Sequence, residues 1–124
     1  MPDLPDDEQR FRVRRGIERA FIAHLVAYPL AFVAACAAMP ATMHLFEADL
    51  DRFGDDMQAM GQYIVRLTAW PAGALFVIVH GLAIPWVFGR DPARARRFFW
   101  RAFGALSLLV LLAGGASWAW LWVR

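Results

Sequence analysis

The fold is decided by two apolar stretches, AFIAHLVAYPLAFVAACAAM at residues 20–39 and LTAWPAGALFVIVHGLAIPWVF at residues 67–88. A run of about 18 or more mainly apolar residues is typical of a transmembrane helix, because roughly 20 residues at about 1.5 Å rise cover the ~30 Å hydrocarbon layer. A third apolar stretch, residues 98–123, carries a single charge at Arg101 and ends in the run WAWLWV. The sequence therefore predicts an all-α protein with three transmembrane helices.

Composition agrees with this class. The chain has 124 residues, is 60% hydrophobic and contains six tryptophans and ten phenylalanines, which is too apolar for an ordinary soluble domain of this length. Three helices use most of the chain and leave no room for a soluble enzymatic domain. All thirteen basic residues are arginines, and they flank the apolar stretches instead of forming a separate basic face, so no nucleic-acid partner is expected.

The charges predict an orientation. Arginines cluster before the first helix and again between the second and third, whereas the connection between the first two helices is acidic. Because basic residues are retained on the cytoplasmic side, we expect the N-terminus inside and the C-terminus outside. The two basic clusters also favour contact with anionic membrane lipids, at about 1 kcal/mol per basic residue close to the surface.

The predicted organisation is an antiparallel two-helix hairpin followed by a third helix. It divides into a mobile cytoplasmic tail at 1–15, the hairpin at 16–89 with an acidic outer loop at 40–62, a basic cytoplasmic loop at 90–97 and the third helix at 98–124. The third helix ends in Trp118, Trp120 and Trp122, which suit the outer membrane interface because their rings are amphipathic.

Small residues recur at helical spacing on each helix, and this pattern predicts where the helices touch. His24 and His80 each belong to such a series, so we expect both histidines to face helix contacts and not lipid, at comparable depth in an antiparallel pair. The predicted contact residues are Ala20, His24, Ala27, Ala31, Ala34 and Ala38 on the first helix, Ala69, Gly73, Phe76, His80 and Ala83 on the second, and Gly104, Ser107, Gly114 and Ser117 on the third.

The histidines allow more than one interpretation. Pro29 and Pro85 have no N–H and so free the carbonyls of Leu25 and Gly81, each one residue beyond a histidine. A freed carbonyl is a ready acceptor for an imidazole N–H, which predicts a structural hydrogen-bonded histidine pair, with Tyr28 as a further member.

The alternative is a cofactor site. Two imidazoles at similar depth on facing helices are the usual axial ligands of a b-type haem in membrane proteins, which makes His24 and His80 candidate ligands of an electron-transfer or redox-sensing protein. Close packing through small residues opposes this, because it brings helix axes to about 8 Å, and a haem needs a wider gap. The identity of any cofactor is left open, with haem b as one candidate.

The same residues resemble the bacterial two-transmembrane "2TM" domain family over roughly residues 10–90. The pattern is a basic start, an aromatic, His and Tyr four residues apart, Trp-Pro with a following Gly, and a second His. It is carried by Phe21, His24, Tyr28, Trp70, Pro71, Gly73, His80 and Gly81. The resemblance implies a small membrane module that occurs alone or attached to signalling proteins such as histidine kinases. The chain departs from it at Pro29, in its longer acidic loop and in its third helix, which puts the family's usual partners in question.

The outer loop carries a weaker candidate site. Thioether and imidazole groups bind Cu(I), and five such residues lie in or beside the loop: Met39, Met43, His44, Met57 and Met60. The competing interpretation is an amphipathic turn on the membrane surface, in which Leu45, Phe46, Leu50 and Phe53 supply the apolar face and methionine fills gaps.

Nothing in the sequence resembles a nucleophile with its base, a phosphate-binding loop or a paired acid and base. We therefore expect a non-catalytic accessory or signalling-associated subunit that associates with itself or with another membrane protein. Haem binding by the two histidines is the first alternative, and copper binding by the loop is the second.

Overall fold

The computed structural model describes residues 5–123, and within them it contains four helices and no strand. They are α1 (Asp6–Leu45), α2 (Glu47–Asp51), α3 (Met57–Phe88) and α4 (Pro92–Val123). The three long helices, α1, α3 and α4, are long and apolar enough to cross a membrane. The prediction of an all-α fold with three membrane helices is confirmed. Residues 1–4 of the predicted tail, and Arg124, lie outside the described residues.

The helices are longer than predicted. Residues 6–15, expected to form a mobile tail, continue α1 without a break. Acidic residues occupy the first turn, where they complement the helix dipole, and Arg12 forms an ion pair with Glu8 at 2.9 Å. The acidic loop shrinks to residues 46–56 around α2. The basic loop shrinks to 89–91, because Pro92 begins α4 in the position where a missing N–H is harmless.

One core joins the three long helices. The antiparallel pair α1 and α3 contributes the buried side chains, and Phe99 of α4 inserts between Trp86 and its own neighbours Trp100 and Phe103. The core residues are Ala23, Ala27 and Leu30 from α1, Val79, Ala83 and Trp86 from α3, and Phe99 from α4. Helix α4 runs parallel to α1. We call the end of the bundle with Arg19 and Arg90 the arginine end and the end with α2 the acidic end.

The predicted contact faces were partly wrong. On α1 the buried residues include Ala23, Ala27, Leu30 and Ala34, whereas Ala20 and His24 are exposed. On α3, Ala69 and Gly73 are exposed. Alanines lie all around α1, so their spacing fits several faces equally well. Which face of α1 is buried depends on the large side chains of Trp86 and Phe99, because these must be buried where α4 packs.

Helices α4 and α1 approach each other closely at Gly114. A Cβ atom at this position would lie 2.5 Å from the Cβ of Ala37 and 3.2 Å from its Cα. Ser107 and Ser117 are half-buried on the same helix, but Gly104, predicted to join this contact, is exposed and has open space around it. The α1–α4 contact therefore depends on Gly114 and not on the whole small-residue series.

Replacing Gly114 by alanine should push α4 away from α1, because the neighbouring atom is close to the backbone and cannot move aside. We expect Gly114→Ala to lower the free energy of unfolding by about 1–3 kcal/mol, measured by reversible unfolding in mixed micelles. Gly73→Ala is the control, since no described atom lies within 4 Å of a Cβ there. Equal stabilities of the two variants would contradict the close contact.

Candidate functional site

His24 and His80 meet between α1 and α3. Nδ1 of His24 lies 3.0 Å from Nε2 of His80, and Nδ1 of His80 lies 2.7 Å from the main-chain oxygen of Phe76. The depth match predicted from the antiparallel arrangement is therefore good enough for a direct hydrogen bond. Three groups, the two imidazoles and one carbonyl, form a continuous chain, which we call the histidine relay.

The carbonyl of Phe76 determines the direction of the hydrogen bonds in the relay. A carbonyl oxygen only accepts, so Nδ1 of His80 carries the proton that bonds to Phe76. When both imidazoles are neutral, Nε2 of His80 is then unprotonated and accepts from Nδ1–H of His24. This leaves Nε2 of His24 unprotonated, as a hydrogen-bond acceptor at the free end of the relay.

Aromatic rings surround the relay. The His24 ring makes edge contacts with Tyr28 at 4.8 Å and Phe76 at 5.4 Å between centroids, and Tyr28 and Phe76 contact each other at 5.2 Å. His80 is half-buried, but His24 and Tyr28 are exposed at the surface of the bundle. The expectation that both histidines face away from lipid was therefore wrong for His24, which lies at the edge of the α1–α3 contact.

The carbonyl acceptor also differs from the prediction. The carbonyls freed by Pro29 and Pro85 belong to Leu25 and Gly81, but His80 donates to Phe76, one turn before it on its own helix. Helical side chains point back toward the N-terminus, so the carbonyl four residues earlier is within reach and the one after the histidine is not.

The relay does not fit a haem between the two histidines. Their rings are in direct contact, with centroids 5.2 Å apart and a hydrogen bond joining them, and a macrocycle lying between the two imidazoles would have to separate the helices. Among the residues that the structure describes, there is also no group of three or more His, Cys, Asp or Glu side chains able to hold a metal ion.

Two further hydrogen bonds join the long helices. The guanidinium of Arg19 donates to the carbonyl of Trp86 at 3.1 Å, and Nε1–H of Trp118 donates to the carbonyl of Cys36 at 3.0 Å. Both carbonyls lack an ordinary α-helical donor: α3 ends at Phe88, and Pro40, four residues after Cys36, has no N–H. Sequence analysis missed both bonds, although the position of Pro40 identifies the Cys36 acceptor.

The methionines of the copper hypothesis lie on two helices at the acidic end. Met39 and Met43 belong to the last turns of α1, and Met57 and Met60 to the first turns of α3. The ring of His44 packs edge-on against Trp120 of α4 at 4.7 Å. Leu50 of α2 is buried, as an amphipathic surface turn requires. Copper binding stays a prediction.

The chain matches no family model, no curated protein and no solved structure. The resemblance to the two-transmembrane family accordingly stays a prediction.

The hydrogen bond between the histidines should appear as an energetic coupling. We expect His24→Phe and His80→Phe each to destabilise the protein, and their effects to be non-additive by about 0.5–1.5 kcal/mol, because either change alone removes the bond. Reversible unfolding of the two single variants and the double variant measures this. The control is the double-mutant cycle of His44→Phe with His80→Phe, in which the two changes in the free energy of unfolding should add. If the changes caused by His24→Phe and His80→Phe also added, the hydrogen bond between the two histidines would be contradicted.

Direct contact between the imidazoles also predicts the absorption spectrum. Protein purified from cells supplied with haem precursor should show no Soret band in either the oxidised or the reduced state. A Soret band with sharp reduced bands, lost in both His24→Ala and His80→Ala, would show instead that the helices separate to bind haem.

Proposed function

We propose that this protein is a non-catalytic accessory module of the bacterial inner membrane, which acts by assembling with a second membrane helix through α4. The proposal keeps the orientation expected from the arginines, with the N-terminus inside, and the resemblance to small two-transmembrane modules. What supports it is the surface of α4 that the rest of the chain leaves open.

Helix α4 carries an exposed seam at alternating spacings of four and three, the period that keeps one helix facing another. Its members are Gly104, Leu108, Leu111, Gly115 and Trp122, and all of them are exposed. Trp118 has the same spacing and is also exposed, but its indole N–H bonds the Cys36 carbonyl of α1. In contrast, only Phe99 and Gly114 of the whole helix are buried. Most of α4 is therefore not used in holding the bundle together.

The two glycines suit close approach of a second helix. Among the described residues, a Cβ atom at Gly104 or at Gly115 would meet nothing within 4 Å, so no packing against residues 5–123 explains why these positions lack a side chain. Membrane helices associate through small residues that let backbones come close, because burial from water gives no drive between helices already in lipid. Leu108 and Leu111 lie between the glycines and can fill the gaps of a facing seam.

The polar side chains support a non-catalytic role. The described cross-helix hydrogen bonds of Arg19, His24 and Trp118 hold the three long helices together. The single cysteine, Cys36, is exposed on α1. The side chains of Arg19, His24 and Trp118 thus stabilise the bundle.

Self-association through the seam is testable by energy transfer between donor- and acceptor-labelled copies in liposomes. We expect energy transfer to rise with the protein-to-lipid ratio. In the double variant Gly104→Leu/Gly115→Leu the association affinity derived from it should fall at least about tenfold, because one lost close contact costs about 1.4 kcal/mol or more. Gly73→Leu is the control, since Gly73 is equally exposed and lies on α3.

A photoreactive residue at position 108 extends the same test to other membrane proteins in cells. Cross-links from this position should depend on the two glycines, whereas position 32 on α1, where Phe32 is 71% exposed, should cross-link lipid only. Monomeric protein in liposomes together with lipid-only cross-links at both positions would refute an assembly role for α4.

A further inference from the structure

A groove opens to the lipid between α1 and α3, beginning at the histidine relay and extending toward the arginine end. Its volume is about 440 Å³, within the range of small-molecule sites. Ala20, Ala23 and Gly81 form part of its lining and keep it open, whereas Phe76 and His80 bring it against the relay. The lining comes from α1 and α3 alone, so the groove is separate from the seam on α4.

An unpaired acceptor lies beside this groove, on His24, which contacts two of the lining residues, Phe76 and His80, without being one of them. His24 and Tyr28 contact Phe76, which lines the groove, and both are exposed. Within residues 5–123, the structure gives no hydrogen-bond partner to Nε2 of His24 or to the hydroxyl of Tyr28. In hydrocarbon no water is available, and an acceptor left without a donor costs several kcal/mol.

The relay fixes which kind of group can pair with His24. With both rings neutral, Nδ1–H of His80 donates to the Phe76 carbonyl and Nδ1–H of His24 donates to His80, so Nε2 of His24 has a lone pair and pairs only with a donor. The acyl chain of a phospholipid brings no donor into the membrane interior. A lipid-soluble molecule with a hydroxyl group does.

We propose that the groove binds a quinol, that is, a dihydroxylated aromatic ring with an apolar tail dissolved in the bilayer. One hydroxyl donates to Nε2 of His24, the ring lies against Tyr28 and Phe76, where edge contacts between rings are favourable, and the tail leaves through the open side into lipid. The inference concerns binding only and includes no electron transfer. It does not depend on the assembly role proposed for α4.

The size of the groove favours a ring over a partner helix. A helix with its side chains is about 10–12 Å across and would cover this groove without filling it. A second copy of the chain that donated to His24 would bury the same acceptor, and the His24 resonance before ligand is added, followed over the protein-to-lipid ratio, distinguishes that outcome.

The test uses the full chain in phosphatidylcholine nanodiscs, titrated anaerobically with decylubiquinol. We expect the ¹⁵N resonance of His24 Nε2 to shift saturably as it accepts a hydrogen bond, while the resonances of His44, at the acidic end, stay unchanged. Decylubiquinol retained by the nanodiscs, above that retained by empty nanodiscs, measures affinity. Decylubiquinone, which lacks the hydroxyl donors, should bind at least about threefold more weakly, as expected for one hydrogen bond.

Two variants separate the hydrogen bond from the groove. His24→Phe should weaken decylubiquinol binding about threefold or more and abolish the preference for the reduced ring. Gly81→Leu should weaken it at least about tenfold by filling the groove, and it should fold normally because a Cβ there meets nothing within 4 Å. Gly73→Leu, equally unobstructed and outside the lining, should bind as the parent does.

Three outcomes would overturn the proposal. Equal retention in Gly81→Leu would mean that the ligand only partitions into lipid. Equal affinity for the dimethyl ether of decylubiquinol, which has no hydroxyl, would mean that His24 does not select it. A His24 resonance already shifted before ligand is added, and dependent on protein-to-lipid ratio, would mean that a second copy donates to it.

Discussion

The need to pair polar groups in a medium without water governs how these helices are joined. Three hydrogen bonds join the long helices. Each one pairs a polar group that has no hydrogen-bond partner on its own helix. Arg19 bonds the last-turn carbonyl of Trp86 at the arginine end, His24 bonds His80 within the membrane, and Trp118 bonds the Cys36 carbonyl toward the acidic end. Such bonds replace the hydrophobic drive, which is absent between helices already in lipid.

The strength of this joining is uneven. Helices α1 and α3 share most of the buried core side chains and the histidine relay. Helix α4 packs on the core through Phe99, with Phe103, Leu106 and Val110 half-buried beside it, and contacts α1 farther along through Gly114 and Trp118. A hairpin with a lightly attached third helix can present one face of that helix to a partner without losing its own core.

The sequence predicts the number and type of the elements well, because length and hydropathy alone decide whether a helix can span a membrane. It also predicts that His24 and His80 lie at similar depth, since antiparallel helices have a fixed rise per residue. It does not predict the rotation of α1, because alanines on several faces give the same spacing. The rotation depends on where Trp86 and Phe99 are buried, which requires knowing the position of α4.

The error in rotation matters most at His24. Had His24 faced the centre of the α1–α3 contact, its second ring nitrogen would have needed a partner inside the bundle, and the pair would have been purely structural. Instead the pair lies at the edge, where the His24 imidazole is held by His80 and is exposed on the surface of the bundle. A buried structural bond does not require this arrangement, and leaving an acceptor unpaired in hydrocarbon is costly. The surface of the α1–α3 pair at His24 is therefore suited to a hydrogen-bond donor that approaches from the membrane.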